Sequence, residues 1–226
     1  MRLLLLLLAA TLSVAAAPAP NLPRPDRPVS PIVSASWSDE ASREHAGEAD
    51  AVMRLAGVRR GMHVADIGAG EGYYTLKLAA TVGPQGEVIA EDIVPGVVAR
   101  LKRRAAEARL ANVKAVLGSA DDPELAPASL DRIFMIHMYH EIAQPYTLMW
   151  QLHDTLRPGG QVAIVDTYRG TAFHGTPPKL LRCELAAIGF RQTSFHDLGE
   201  AGGYLALFVP VARPRPETVR ACYGRG

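Results

Sequence analysis

The strongest constraint on this chain is the regular alternation of short apolar runs with helical segments between residues 38 and 189. Strands that alternate with helices are typical of a parallel sheet covered by helices on both faces. The segments 190–198 and 204–211 instead flank a glycine-rich turn, which predicts an antiparallel hairpin. The expected fold is an α/β domain with a seven-stranded, mostly parallel, doubly wound sheet and a C-terminal antiparallel β-hairpin. The five earlier strands are predicted at residues 62–67, 88–92, 113–117, 132–136 and 162–165.

Local signals place the ends of several helices. Ser38 is expected to cap a single helix that runs to Leu55, with Asp39 and Glu40 in its first turn. Pro95 suits the start of another helix, where its missing N–H costs nothing. Thr176 is expected to cap the helix that precedes the hairpin.

The first 17 residues have the layout of a secretory signal peptide. Met1-Arg2 precedes an apolar run that ends in small residues at Ala17, and this run is short for a transmembrane helix, which needs about 20 residues. We therefore expect a periplasmic or secreted protein with no stable membrane insertion after removal of the leader. An uncleaved membrane anchor is the alternative.

A proline-rich stretch follows the leader. Because proline fixes φ and removes a backbone donor, the stretch is expected to be an extended, semi-rigid tether. The predicted organisation is a signal peptide at 1–17, a linker at 18–36, one folded domain at 37–212 and a C-terminal tail at 213–226.

Composition excludes several classes of protein. Hydrophobic residues make up 48% of the chain and charged residues 21%, so disorder throughout is excluded. A net charge of +1 gives no electrostatic footprint for nucleic acid, and we expect no nucleic-acid partner. Cys183 and Cys222 form no CxxC pair, which argues against a zinc ribbon. They can pair in an oxidising compartment, or Cys183 can be a buried apolar residue of its helix.

A glycine-rich turn follows the first predicted strand. Gly68, Gly70 and Gly72 lie in this turn, two residues after Asp66. Without a Cβ, such a loop lets a ligand approach the backbone closely. No Lys-Ser/Thr pair follows, which argues against a phosphate-binding loop of the NTPase type, and the spacing also differs from the dinucleotide G-x-G-x-x-G by one position.

The segment from Val64 to Gly72 resembles the first motif of class I S-adenosylmethionine-dependent methyltransferases. Asp92, at the end of the second strand, resembles that family's ribose-binding acid. The segment 117–121 resembles the third motif, and 156–160 resembles the turn before the fifth strand, while the terminal hairpin resembles the family's reversed last strand. The resemblance covers residues 39–211.

The resemblance implies S-adenosylmethionine as the cofactor and assigns candidate residues to its parts. A carboxylate at Asp92 can accept both ribose hydroxyls, whereas Glu91 is the rival acid and is expected on the opposite face of the strand. The resemblance places Ala120 and Asp121 beside the adenine, although Asp121 can instead cap a short turn. The residues expected at the methionine end are Asp66, Gly68, Ala69, Gly70 and Gly72. Trp37 and Arg43 are candidates to close this pocket.

The acceptor is expected at the carboxyl ends of the strands, where ligands of open parallel sheets bind. His137, His140 and Glu141 follow the fourth strand and are the candidate catalytic residues, since a histidine–glutamate pair can deprotonate a nucleophile. Packing and helix capping are the alternative for His140 and Glu141. Their order matches neither H-E-x-x-H nor H-x-x-E-H, and nothing in the sequence specifies a third zinc ligand, so no metal is expected.

Together these features predict a methyltransferase that acts on a small-molecule acceptor. A non-catalytic envelope binding protein on a methyltransferase fold is the alternative, because the cofactor is made in the cytoplasm and the leader points outside it. An NAD(P)-dependent oxidoreductase is a second alternative, but the position of the third glycine and the C-terminal hairpin disfavour it. The sequence does not indicate the acceptor atom or the oligomeric state.

Overall fold

The computed structural model describes residues 20–32, 40–199 and 202–224, so the predicted leader and Trp37 lie outside the described residues. Within them, seven strands form one sheet in the order β3-β2-β1-β4-β5-β7-β6. β1 to β5 are parallel, and β7 runs antiparallel to both β5 and β6. The predicted fold class is confirmed. The strands are β1 (His63–Ile67), β2 (Glu87–Asp92), β3 (Val113–Leu117), β4 (Leu130–Ile136), β5 (Leu156–Asp166), β6 (Phe190–Asp197) and β7 (Tyr204–Pro210).

Helices cover both faces of this sheet. Neighbouring residues of β4 point to opposite faces, so Ile133 packs in one apolar cluster with Met149 and Leu185, while Phe134 packs in the other with Val52. None of the described helices is long and apolar enough to cross a bilayer. The helices are α1 (Glu40–His45), α2 (Glu48–Leu55), α3 (Tyr73–Val82), α4 (Pro95–Glu107), α5 (Pro145–Thr155) and α6 (Pro178–Ala186).

Two local predictions differ from the structure. The single helix expected over residues 38–55 is interrupted at Gly47, whose φ of 64° is incompatible with a continuous right-handed helix. β5 begins at Leu156 and so includes the segment predicted as a turn; the pairing of β4 with β5 shifts register between Leu130 and Arg132.

The proline-rich segment is not a free tether. Residues 20–32, called the strap below, pack along the domain: Leu22 is buried in the core, and Arg27 donates from Nε to Glu184 of α6 at 2.9 Å. Both side chains of this ion pair are fully buried. The folded unit therefore begins well before residue 37. Extended proline geometry is compatible with either a free or a docked segment, so the prolines alone did not distinguish them.

The segment after β7 also packs on the domain. Cys222 forms a disulfide with Cys183 of α6, and Val219 is buried. Asp26 of the strap forms a parallel bridge with Tyr223. The two ends of the described chain are therefore held side by side against α6.

The strand order places a topological switch between β1 and β4. The chain builds the sheet outward from β1 through β2 to β3 and then returns to the other side of β1 with β4. Ligands of open α/β sheets bind in the crevice at such a point, outside the carboxyl ends of the strands. The glycine-rich turn and the histidines after β4 both lie there.

Candidate active site

The glycine-rich turn joins β1 to α3 and is tied to the neighbouring strand. The N–H of Ala69 donates to the carbonyl of Glu91 at 2.9 Å. Gly68, Gly70 and Gly72 all have positive φ, of 66°, 56° and 88°. A Cβ on Gly72 would lie 2.3 Å from Leu101, whereas a Cβ on Gly70 would meet nothing within 4 Å. Gly72 therefore serves packing, and Gly70 presents bare backbone to the cavity.

Asp92 connects this turn to the end of β2. Its Oδ2 accepts the N–H of Gly70 at 3.0 Å, and its Oδ1 accepts the N–H of Val94 at 2.9 Å. A carboxylate has about four acceptor sites, so two remain for a ligand's hydroxyl groups. The position fits the ribose role predicted for Asp92.

Two further carboxyl groups lie buried beside Asp92. Burial raises the pKa of Asp66 to about 6, although its Oδ2 accepts a hydrogen bond from Thr75 at 2.6 Å. Burial also raises the pKa of Glu91 to about 8, with the charges of Asp92 and Asp66 adding to the effect. Oε1 of Glu91 has no hydrogen-bond partner among the described residues. Glu91 therefore lines the same cavity as Asp92. This differs from the expectation, based on side-chain alternation along the strand, that Glu91 lies on the face opposite Asp92.

The predicted adenine end is only partly assembled as expected. Ser119 and Ala120 line the cavity, but Asp121 is exposed and does not line it. Instead, Oδ1 of Asp121 accepts the hydroxyl of Ser119 at 3.1 Å. Asp121 therefore holds the shape of the turn after β3, and Ile93 adds an apolar side chain to the lining of the cavity.

A single cavity of about 450 Å³ unites these residues, within the range of about 300–1,000 Å³ typical of small-molecule sites. Bare backbone at Gly70, the unfilled acceptor capacity of Asp92 and the partnerless oxygen of Glu91 suit a ligand with hydroxyl and amino groups. These features fit a nucleoside with a cationic amino-acid tail. Arg43, predicted to close the pocket, also lines it.

His137 lies on the wall of the cavity and is hydrogen-bonded to a glutamate. Its Nε2 is 2.8 Å from Oε2 of Glu48 on α2. Burial alone would raise the pKa of Glu48, but the hydrogen bonds and charges of His137 and Arg43 lower it to about 2. Glu48 also accepts the hydroxyl of Tyr74 at 2.8 Å. His137, predicted as catalytic, is therefore anchored to two helices.

His140 is held by a buried carboxylate. It lies in a short 3-10 helix (Tyr139–Glu141), and its Nδ1 is 3.0 Å from Oδ1 of Asp166 at the end of β5. Asp166 is itself fixed by the hydroxyl of Thr176 at 2.6 Å, so Thr176 orders this site and makes no side-chain cap for α6. Because Asp166 accepts the Nδ1 proton, the lone pair of the imidazole lies on Nε2.

Glu141 and His174 complete the acceptor end. Ligand atoms of His140, Glu141 and His174 all lie within 4.8 Å of one another, and all three residues line the cavity. His174 follows a second 3-10 helix (Thr171–Phe173) and adopts the left-handed conformation with φ of 54°.

Residues 64–160 match the family described as "Methyltransferase domain". The described structure superposes on a SAM dependent methyltransferase from Aquifex aeolicus with a TM-score of 0.64 and 21% identity, covering 77% of this chain and 100% of that one. This part of the chain is therefore similar to a methyltransferase domain. The cavity fits S-adenosylmethionine, on which that Aquifex aeolicus methyltransferase depends.

Two characterised proteins are similar to part of this chain. It is 34% identical over 110 residues to a protein-L-isoaspartate O-methyltransferase from Methanothrix thermoacetophila, a match spanning 49% of this chain and 50% of that protein. It is 26% identical over 129 residues to a demethylmenaquinone methyltransferase from Geobacillus, spanning 57% and 55%. The chain thus spans about half the length of the relatives it matches.

The methyltransferase fold alone does not fix the reaction. The domain also superposes on the [4+2]-cyclase SpnF with a TM-score of 0.66 and 15% identity, covering 84% of this chain and 100% of that one. The activity therefore has to be argued from the site.

Three features of the candidate site were missed from the sequence. They are the contact of Asp166 with His140, the position of Glu91 in the cavity, and the contacts of Ser30 with the backbones of His140 and His174. A buried acid such as Glu91 inside a strand is itself unusual and is a usable signal. Pairing between Asp166 and His140 depends on how two loops meet, and no spacing pattern reports it.

Proposed function

We propose that the protein transfers a methyl group from S-adenosylmethionine to a small-molecule acceptor. The observation that carries this proposal is the single cavity with two unlike ends. One end has the glycine-rich turn and Asp92, and the other has His137, His140 and Glu141. A cofactor bound at the first end would direct its reactive group toward a molecule at the second.

Each end has its own part in the transfer. The bound cofactor supplies an electrophilic methyl group on a sulfonium. The turn around Gly70 and the carboxylate of Asp66 would hold the amino-acid tail, and Asp92 would accept the ribose hydroxyls. With the cofactor bound, the acceptor's lone pair would form the new bond to the methyl carbon while the carbon–sulfur bond breaks and leaves its electron pair on sulfur. Such in-line displacement depends mainly on positioning.

His140 supplies the polar contact at the acceptor end. Asp166 fixes its ring, and the lone pair on Nε2 can accept a proton from the acceptor or bind a metal ion. His137 and Glu141 flank it as further contacts for the acceptor. One similar protein is named for demethylmenaquinone, which supports a small acceptor, and the net charge of +1 disfavours nucleic acid.

Calorimetric titration of the purified protein with S-adenosylmethionine and S-adenosylhomocysteine tests the proposal. We expect micromolar binding of both, no binding of NADH or NADPH, and loss of binding in Asp92→Ala. A folded protein that binds neither sulfur compound contradicts the proposal. Binding of NADPH instead would favour the oxidoreductase.

Turnover separates the methyltransferase from a non-catalytic binding protein. With methyl-labelled cofactor, we expect label to appear in one class among phenols, quinols, thiols and an isoaspartyl peptide. Binding without transfer to any of these acceptors would favour the binding protein.

We also propose that the protein works in the periplasm or outside the cell. The apolar leader carries this proposal, and the disulfide between Cys183 and Cys222 supports it, because disulfides persist mainly in oxidising compartments. Mass spectrometry of the protein recovered from cell fractions tests it. The expected result is a chain that lacks its leader, in the periplasm or medium; an intact chain in the cytoplasm contradicts the proposal.

A further inference from the structure

We propose that His140, Glu141 and His174 bind one divalent transition-metal ion, with Asp166 as the residue that orients His140. This inference goes beyond methyl transfer, since cofactor binding involves none of these residues. No metal was expected from the sequence, because the third ligand comes from a loop more than thirty positions away along the chain.

The ligand atoms already converge. One atom each from His140, Glu141 and His174 lies within 4.8 Å of the others, so a small closing movement of the side chains would bring them around one ion at metal–ligand distances of about 2.0–2.2 Å. Two different loops supply them, the one after β4 and the one after β5. In the described parts of the chain, this is the one such group of three histidine, cysteine or acidic residues.

The surroundings of His140 match those of a metal ligand. A ligating histidine usually donates its other ring N–H to a carboxylate, which fixes the tautomer and raises the basicity of the ligating nitrogen. Asp166 does this here: it is fully buried, it lies 3.0 Å from Nδ1 of His140, and it also accepts the N–H of Thr167 at 2.8 Å. Nε2 is then the atom that faces the ion.

The backbones of both histidines are fixed by one residue of the strap. The N–H of Ser30 donates to the carbonyl of His140 at 3.1 Å, and the hydroxyl of Ser30 accepts the N–H of His174 at 3.2 Å. The two rings then meet edge to face, with centroids 5.4 Å apart. His174 holds a left-handed conformation, which is uncommon for a residue with a Cβ and clusters at functional sites. These contacts hold the site ready for a ligand.

The donor set selects the class of ion. Two imidazoles and one carboxylate suit Zn²⁺ and its neighbours in the first transition row, whereas Mg²⁺ and Ca²⁺ prefer oxygen ligands alone. Three protein ligands leave an open coordination position, as in catalytic zinc sites. That position would lie in the cavity, where it can take an oxygen or sulfur atom of a small molecule. The identity of that molecule as the methyl acceptor rests on the proposed function.

Metal titration of the untagged, chelator-treated protein tests the inference without any turnover assay. We expect one Zn²⁺ per chain, and with Co²⁺ as the probe we expect visible absorption bands of a four- or five-coordinate site. Glu141→Gln and His174→Ala should each weaken Zn²⁺ binding more than tenfold, and Asp166→Asn by about 10–100-fold. His196→Gln, on the outer strand β6, is the matched control and should bind as the parent does.

The outcomes separate this inference from the proposed function. S-adenosylhomocysteine binding is measured on the same preparations, and circular dichroism establishes that each variant is folded. Failure to bind stoichiometric Zn²⁺, or binding that neither Glu141→Gln nor His174→Ala weakens, overturns the metal site. If the folded parent protein binds Zn²⁺ but not S-adenosylhomocysteine, the methyltransferase proposal is overturned and the metal site is supported.

Discussion

Gly70 and Gly72 share a positive φ but have different neighbours, so the same substitution should have different effects at the two positions. A Cβ at Gly70 meets open cavity, while a Cβ at Gly72 lies 2.3 Å from Leu101. A non-glycine residue in the left-handed region costs about 1–2 kcal/mol.

Gly70→Ala is therefore expected to fold, with a modest loss of stability, and to weaken S-adenosylhomocysteine binding because the new methyl group projects into the ligand's space. Gly72→Ala is expected to lose more stability through the clash in the core. Urea unfolding and calorimetric titration of both variants check this. Equal stabilities, or full ligand affinity in Gly70→Ala, would contradict the assignment.

Glu91 makes stability depend on pH. Its pKa is about 8 in the folded protein against an ordinary value of 4.5, so the folded state holds this proton more tightly than the unfolded chain does. The free energy of unfolding therefore falls as pH rises from about 4.5 to 8, by at most about 1.4 kcal/mol per pH unit from this group.

Glu91→Gln removes that contribution. Relative to the parent, the variant is expected to become more stable as the pH is raised from 5 to 8, measured by urea unfolding at both values. Glu107→Gln, at an exposed position of α4, is the control and should follow the parent. The explanation fails if Glu91→Gln and the parent lose stability in parallel.

At the scale of elements, the strap joins the two loops of the acceptor end. The hydroxyl of Ser30 donates to the carbonyl of Thr171 at 2.6 Å and accepts the N–H of His174. Arg27 donates to the carbonyl of Tyr139 at 3.3 Å in the same region. A buried carbonyl and N–H left without partners cost about 1–3 kcal/mol.

Ser30→Ala is therefore expected to lower stability by about that amount and to increase hydrogen exchange of amides in residues 167–176. Thr218→Ala, which removes an exposed and local hydrogen bond, is the control and should leave exchange in that loop unchanged. Unaltered exchange in Ser30→Ala would show that the strap does not hold the loop.

The elements also show what the sequence could and could not reveal. Periodicity and glycine positions predicted the order of the strands and the hairpin correctly, because those signals are local. The contacts of Ser30 and of Asp166 with the histidines are set by how distant loops pack, and Asp121 was misplaced because the shape of its turn is fixed by a side-chain hydrogen bond. The break at Gly47 is the exception, since a glycine within a helical pattern was visible in the sequence.

At the scale of the whole molecule, the disulfide between Cys183 and Cys222 holds the C-terminal segment against α6. The two cysteines are 39 positions apart, and on the chain-entropy model a loop of this length contributes roughly 3–4 kcal/mol. Reduction should therefore lower the free energy of unfolding by about this amount.

Urea unfolding with and without dithiothreitol measures the effect, and thiol titration establishes that reduction has occurred. The double variant Cys183→Ala/Cys222→Ala should resemble the reduced parent and be insensitive to dithiothreitol. An unchanged midpoint in a fully reduced parent would contradict a stabilising role for the bond.

The strap has a consequence for the order of events during synthesis. It leaves the ribosome before the rest of the described chain, yet its partner Thr171 follows Ser30 by 141 positions and its partner Glu184 follows Arg27 by 157. Contacts between residues so far apart form late in folding, because the entropy of loop closure is lost before the contacts stabilise the chain. The residues of β1 and β2 are translated well before Thr171 and Glu184. In a nascent chain the glycine-rich turn can thus form while His140 and His174 still lack the backbone contacts with Ser30. The acceptor end is complete only when the strap packs against the loops that follow β4 and β5.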